Sequence, residues 1–381
     1  MRVAVVTAWP DDPRAPAGGV EAVSVNLVQA LANLDDLEIH VVTAKQSYSS
    51  LRVERWEQVH VHRLPWAGGR VLWNAIGPGR RQMREYLETL RPAVIHTHDT
   101  YGLMVQGMTL PRVFTIHGFI YRDTLVSGSH FAHLRSRLWR RWETAGWADQ
   151  PHIISISPYV RESLGGIATG AVHDIDNPVS ERFFSLRRHE RPGTVFSAAA
   201  VTSLKNTLSL IDAVSRLVAD GCEVKLRLAG SLDHDSYSRR VRERIAHEGL
   251  NAHISLLGMI DVEKMREELA AAAVFALASL QENSPMAIEE AMAAGVPVVT
   301  SNRCGMPYLV RDGESGFLVD PTDPRDIARR LGQLLGNDEL RQSMGAKGRE
   351  IALDRFHPAR VAARTREVYL RAIQDFRRGR I

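Results

Sequence analysis

Short apolar runs of strand length alternate with helix-length stretches along the whole chain, and this alternation limits the folds available to it. Val3–Thr7, Ile39–Thr43, Val59–Leu64, Val94–Thr97, Val113–Ile116 and Ile153–Ile156 are the runs of the first half. They are continuous rather than alternating in polarity, as expected for parallel strands buried on both faces. Val20–Leu34 and Arg80–Leu90 read as helices between them, the second ending before Pro92. A second series has strands at Thr194–Ala198, Lys225–Ala229, Ile254–Leu257, Val274–Ala278, Pro297–Thr300 and Gly316–Val319. Its helices are expected at Thr207–Asp220, Tyr237–Glu248, Val262–Ala271, Pro285–Ala294 and Asp326–Leu335. Two strings of βα units imply two doubly wound α/β sheets. The 381 residues exceed one comfortable core and suit two domains. Asn177–Pro192, with few strand signals, reads as the linker. Ligands of such sheets sit beyond the carboxyl ends of the strands, so two facing domains would hold theirs in a cleft.

Composition removes several function classes. Cys222 and Cys304 are the only cysteines and lie far apart, which suits a reducing compartment and offers neither a disulfide framework nor a four-ligand zinc site. The opening MRVAVVT is too short for a signal h-region, and Leu269–Leu280 is about half of a bilayer span. The expectation is a cytoplasmic protein, at most peripheral on the inner face of a membrane. The net charge of +4 is mild but uneven: Leu51–Arg141 holds fourteen arginines and no lysine against six acids. Such a stretch attracts phosphate-bearing partners or anionic lipid; equally, it is a solvated arginine-rich surface. No zinc-finger spacing or RNP-like aromatic motif is present, so nucleic acid is not an expected partner.

The segment Glu282-Asn-Ser-Pro-Met-Ala-Ile-Glu-Glu290-Ala-Met-Ala-Ala-Gly295-Val-Pro297 carries the strongest chemical signal. It runs from a strand end into a helix and through a glycine stop to the next strand. Pro285 suits the first helical turn, Asn283 and Ser284 are able N-caps, and the helix terminus can receive an anion such as a diphosphate. This string resembles the E-x7-E motif of glycosyltransferase family 4, with that family's following EAMAxGxPVV run. The resemblance assigns Glu282 to the donor-sugar hydroxyls and Glu290 to the ribose, with Asn283, Ser284, Pro285 and Met286 lining the donor site. Gly305-Met-Pro307 and Asp312-Gly-Glu-Ser-Gly316-Phe-Leu-Val319 match the turn and strand that follow in the family. In the first half, Gly18-Gly19 opens a helix after the first strand, where adjacent glycines permit close approach of a phosphate or sugar. His117-Gly118 follows a strand and resembles the family's HG motif, whose histidine lies near the anomeric centre. His96 and His98 share a strand face and read as cleft-lining or structural rather than as a metal pair.

The resemblance spans nearly the full chain. It implies the GT-B fold, two Rossmann-like domains facing across a cleft: 1–180 on the acceptor side, 193–360 on the nucleotide-sugar side, and a closing helix, 361–381, returning to the first. It implies a retaining transfer from a nucleotide-sugar, UDP by family frequency, to a glycan, lipid-linked or small-molecule hydroxyl acceptor, with no metal and no cofactor. His117 and Glu282 are the expected catalytic residues. Lys205 matches the family's diphosphate-binding lysine, but the usual arginine position falls at about Ala200, with Arg303 a possible substitute. That gap keeps open a non-catalytic binding or partner subunit, and the fold alone leaves open a nucleotide-sugar epimerase. Arg135–Trp147 mixes arginine with tryptophan at Trp139, Trp142 and Trp147, which fits a core helix with a charged outer face or an interfacial helix.

Overall fold

The computed structural model describes residues 1–126, 131–232 and 235–379. The sequence reading of Asp233-His-Asp235 as a loop falls largely outside them. The chain divides into two compact units, Met1–Pro178 with Pro358–Ile381, and Val179–His357.

The first unit holds a sheet of eight strands: β1 (Arg2–Val6), β2 (Glu38–Lys45), β3 (Arg52–Trp56), β4 (Val59–Pro65), β5 (Val94–His98), β6 (Arg112–Ile116), β7 (His152–Ser155) and β8 (Ala171–Asp174). Their order is β3-β4-β2-β1-β5-β6-β7-β8, and every pairing is parallel except β3 on β4. Because strand side chains alternate between faces, Val3, Val5, Ile39 and Val41 pack with the helix Gly19–Ala32 and the closing helix Pro358–Arg377. Ala4, Val6, Val42 and Leu64 pack on the other side with Met83 and Leu87 of the helix Pro78–Leu90. Coverage of both faces is why these strands read as unbroken apolar runs. β3 and β8 were not foreseen. β3 is exposed along most of its length and β8 is a short edge strand, so neither buries the residues that make a strand legible.

The second unit is a six-stranded, fully parallel sheet: β9 (Thr194–Ala198), β10 (Lys225–Ala229), β11 (Ile254–Gly258), β12 (Val274–Leu277), β13 (Val298–Ser301) and β14 (Gly316–Val319), in the order β11-β10-β9-β12-β13-β14. Both sheets are wound outward from a central first strand. The connection reverses direction between β1 and β5 in one and between β9 and β12 in the other.

The stretch expected as a linker belongs largely to the second unit. Val179 N–H donates to Phe356 O, His189 N–H to Ala270 O and Arg191 N–H to Ala271 O, and Phe183 and Phe184 are buried. Backbone pairing of a polar, proline-bearing segment leaves no apolar signature, and the second unit therefore starts ahead of residue 193. The closing helix lies in the first unit from Pro358 onward. It buries Val361, Ala362, Val368 and Ala372, donates from Arg366 Nε and Nη2 to the Asp36 carboxylate, and sets Tyr369 Oη 2.7 Å from His96 Nδ1. Among the described residues, no helix is long and apolar enough to cross a membrane.

Candidate functional site

In the second unit, Lys205 follows β9 and Glu282 follows β12, the two strands that flank the reversal in winding. Open α/β sheets bind ligands at that point. The two loops are laced together by backbone groups. Leu280 N–H donates to Leu204 O at 2.8 Å, and the Asn206 side-chain amide donates to Ala278 O at 3.2 Å and Pro321 O at 2.6 Å. This brings Lys205 Nζ into direct ionic contact with Glu282 Oε1, which also accepts from Ser279 Oγ at 3.2 Å. Both side chains keep partial access to solvent, 24% and 15%. Asn206 holds a left-handed backbone (φ 54°) at the start of the helix Thr207–Ala219, a conformation that asparagine tolerates better than most residues. Asn206 and Ser279 are contributors the motif comparison missed; an asparagine directly before a helix was the available signal.

The helix carrying the second glutamate runs Met286–Ala293, with Pro285 as its N-cap rather than its first residue, and no side chain caps it. Asn283 and Ser284 therefore do not serve as caps. Ser284 Oγ donates instead to the buried carboxylate of Glu289 at 2.5 Å, pinning the loop to the helix from within. The first-turn amides thus have no side-chain acceptor, the condition that suits a helix terminus to an anion. Glu290, in part open to solvent, is packed round densely enough that burial pushes its carboxyl up to about 8. At neutral pH it is largely protonated, and so able to donate as well as accept hydrogen bonds. Gly305 is required by close approach: its N–H donates to Glu282 O at 2.8 Å, and a Cβ there would lie 1.7 Å from Asn283 O. Ala200 is half-exposed on the loop after β9. Arg303, the proposed substitute for a second cation, is bound to Asp320 at 3.0 Å and to Thr322.

In the first unit, Gly18, His98, Asp99 and His117 all lie at carboxyl ends of strands or in the loops beyond them. Gly18 caps the helix Gly19–Ala32 with an extended backbone (φ −160°), which any residue adopts, and a Cβ there would meet nothing within 4 Å. Neither strain nor packing demands that glycine. Glu21 Oε2 accepts from Ala17 N–H at 2.9 Å and fixes the loop. His117 and Gly118 donate their backbone N–H groups to Asp99 Oδ1 at 2.8 and 3.3 Å, and His117 Nε2 lies 3.1 Å from His98 Nδ1. Burial holds the His117 imidazole below its usual pKa against the opposing pull of Asp99 and Asn177, so it is neutral at pH 7. His96 is fully buried, with both ring nitrogens bonded, to Tyr369 and to Thr115. That is a structural role.

Glu143 was not anticipated. It lies under the loop that follows His117, where its two carboxylate oxygens accept from Ile120 N–H and Tyr121 N–H at 3.0 Å each. With Asp99 it borders a small pocket that also includes Gly118 and Trp147. Burial outweighs those two hydrogen bonds and pushes its carboxyl up to about 7. A carboxyl raised from 4.5 to about 7 favours the fold fully below its unfolded value and loses that contribution as pH rises to about 7, an effect of about 3 kcal/mol. Glu143→Gln, which cannot ionise, should therefore gain melting temperature relative to the parent between pH 4.5 and 7.5. Melting curves that run parallel across that range would show that the group is not protonated in the fold.

The helix Ala132–Ala148 divides its aromatic and aliphatic residues. Trp147 is buried against Phe119 with centroids 5.5 Å apart, and Trp139 and Trp142 pack half-buried on the cluster around Met83 and Leu103. Leu134 and Leu138 are exposed among Arg135, Arg137, Arg140 and Arg141. Within the arginine-rich stretch, Arg63 pairs with Glu54, Arg112 pairs with Asp149, and Arg122 packs over Phe119 and Tyr121.

The model for "Glycosyltransferase Family 4" matches residues 17–181, and that for "Glycosyl transferases group 1" matches residues 179–351. The chain belongs to the family 4 type of glycosyltransferases, and its two Rossmann-like units are those of the GT-B fold. It is 28% identical over 296 residues to an MMP α-(1→4)-mannosyltransferase of Mycolicibacterium hassiacum, an alignment covering 74% of this chain and 71% of that one. Among solved structures, a sucrose-phosphate synthase of Thermosynechococcus elongatus superposes with a TM-score of 0.85 at 20% identity, covering 97% of this chain and 98% of that one. Anabaena HepE, solved in complex with UDP and glucose, gives 0.73 at 16% identity, over 96% and 98%. The chain is a glycosyltransferase.

Proposed function

We propose that this glycosyltransferase moves a sugar, with retention of configuration, from a nucleotide-sugar to a hydroxyl acceptor without a metal ion or cofactor. The observation that carries the reading is the Lys205–Glu282 contact at the point where the second sheet reverses its winding. In this reading Lys205 and the uncapped helix terminus at Pro285–Met286 stabilise the leaving diphosphate, since a site without metal needs its charge from lysine and amide dipoles. Glu282 holds the donor-sugar hydroxyls, and Glu290, protonated, bonds the ribose. Asn283 and Ser284 shape the loop. In the first unit, His117, as a neutral imidazole, and Gly18 and Gly19 are the residues that the family motifs assign. UDP is the favoured nucleotide, supported by the UDP present in the HepE structure.

Thermal stabilisation by UDP, GDP, ADP and CMP with EDTA present tests this directly. One nucleotide at a hundredfold over its Kd should add about 2.7 kcal/mol of stability. Stabilisation that vanishes with EDTA would overturn the metal-free reading. Ala200, with Arg303 already held by Asp320, favours one second reading: a non-catalytic relative that lacks the second diphosphate cation. No stabilisation by any nucleotide would select it.

The location is proposed to be cytoplasmic, with peripheral contact to anionic membrane. Exposed Phe131, Leu134 and Leu138 beside arginines, together with exposed Trp73 and Val71 near Arg70, support that contact. The protein should float with vesicles containing anionic lipid and not with neutral ones; sedimentation away from both removes the proposal.

A further inference from the structure

The geometry points to a second site, unrelated to sugar transfer: a transition-metal site, of the zinc class, formed by Glu38, His40 and His60 at the amino edge of the first sheet. The three side chains come from neighbouring strands. Glu38 and His40 are two apart on β2 and so share a face, and His60 on β4 is the registered partner of His40. Their ligand atoms lie within 4.8 Å of one another. Zinc bonds of about 2.0–2.1 Å set tetrahedral donors roughly 3.3 Å apart, so closure needs side-chain movements on the order of 1 Å. Two of the residues can make it, since Glu38 is exposed and His60 half-exposed.

What sets this trio apart from a chance cluster is the support behind it. His40 Nδ1 lies 2.8 Å from His62 Nε2, and His62 Nδ1 lies 2.7 Å from Tyr86 Oη. This buried relay fixes the His40 ring and leaves Nε2, now 2.9 Å from Glu38 Oε1, directed at the ligand position. Metal-binding histidines are held in this way by a partner on the other nitrogen. His60 stacks on His40 with centroids 4.8 Å apart. The helix Pro78–Leu90, which supplies Tyr86, ends at the same edge of the sheet, and its last carbonyls favour a cation. Arg2 competes: it holds Glu38 at 3.3 Å and must release the carboxylate to the ion. Two imidazoles and one carboxylate suit zinc, copper or nickel rather than magnesium or calcium. Three protein ligands leave the fourth position to water.

The site is remote from the transfer residues of this unit. Glu38 and His40 begin β2, whereas Gly18, Asp99 and His117 lie beyond carboxyl ends, so roughly 15 Å of strand intervenes. An ion here joins β2 to β4 and reinforces the sheet toward its edge.

Tag-free protein stripped with EDTA and titrated calorimetrically with Zn2+ alone tests the site. One Zn2+ per chain should bind, with a melting temperature that rises with zinc. Glu38→Gln and His60→Ala should each weaken binding at least tenfold, and Tyr86→Phe roughly tenfold through the relay. Arg2→Gln should tighten it. His173→Ala, at the separate His152–His173 pair, should leave it unchanged. Glu38 is exposed, so its variant keeps the fold, and a matching melt without zinc confirms that. Absence of saturable uptake, or uptake unchanged in Glu38→Gln, overturns the proposal; so does loss of uptake in His173→Ala alone.

Discussion

Glu282→Ala should lower kcat/KM by at least two orders of magnitude while leaving the nucleotide bound as tightly as before, or more tightly. The two halves of that outcome have different causes. If Glu282 orients the donor sugar, its removal subtracts an interaction made at the reacting centre, and about 3 kcal/mol or more of transition-state stabilisation corresponds to a hundredfold or greater loss. Glu282 Oε1, however, is in ionic contact with the Lys205 ammonium. A diphosphate that binds Lys205 must displace that carboxylate, and the alanine variant removes the competitor. Transfer and nucleotide affinity should therefore move in opposite directions. Both quantities falling together would indicate a disturbed loop, and unchanged turnover would remove Glu282 from the reaction.

Lys205→Met should be nearly as damaging, with the opposite signature in binding. Ala200 offers no charge and Arg303 is held by Asp320. Lys205 is thus the principal side-chain cation assigned to the diphosphate. Removing it should weaken UDP binding by roughly tenfold to a hundredfold, the scale of a lost hydrogen bond to a charged group. It should also slow transfer by at least a further hundredfold, because the charge on the leaving group grows in the transition state. The melting temperature of the free protein should change little: the Lys205–Glu282 pair is partly exposed, and such pairs contribute little to stability. Wild-type UDP affinity in this variant would move the diphosphate elsewhere and return weight to the non-catalytic reading.

Where burial forced an apolar pattern, the sequence was informative. β9, β10 and β14 and the helix Val262–Ala271 fall on their expected residues, and the other anticipated strands shift by one or two positions. β3 and β8 escaped because an exposed antiparallel strand and a four-residue edge strand bury too little to leave a run. The string from Glu282 to Pro297 identified its strand–loop–helix correctly. It could not tell whether Ser284 would cap the helix or turn to Glu289, since both need only a hydroxyl near an acceptor. Asp99 and Glu143 were illegible for a different reason. Each acts through backbone amides at distant positions, His117 and Gly118 for one and Ile120 and Tyr121 for the other, and side chain-to-backbone contacts of long sequence range leave no local motif. Asn206 lies between these cases, with a residue type suited to its left-handed backbone but contacts visible only once β9 and β12 are adjacent.

The return of the last helix to the first unit sets an order of events during synthesis. Residues 1–178 leave the ribosome without the partner that covers Val3, Val5 and Val28 and that bonds His96, because Val361, Val368 and Tyr369 are translated only after the whole second unit. The second unit, Val179–His357, is continuous and can complete its core while the first still waits. The nascent chain must therefore keep an unfinished apolar face shielded while all of Val179–His357 is translated, so the first unit's core depends on a helix that forms no part of the proposed site.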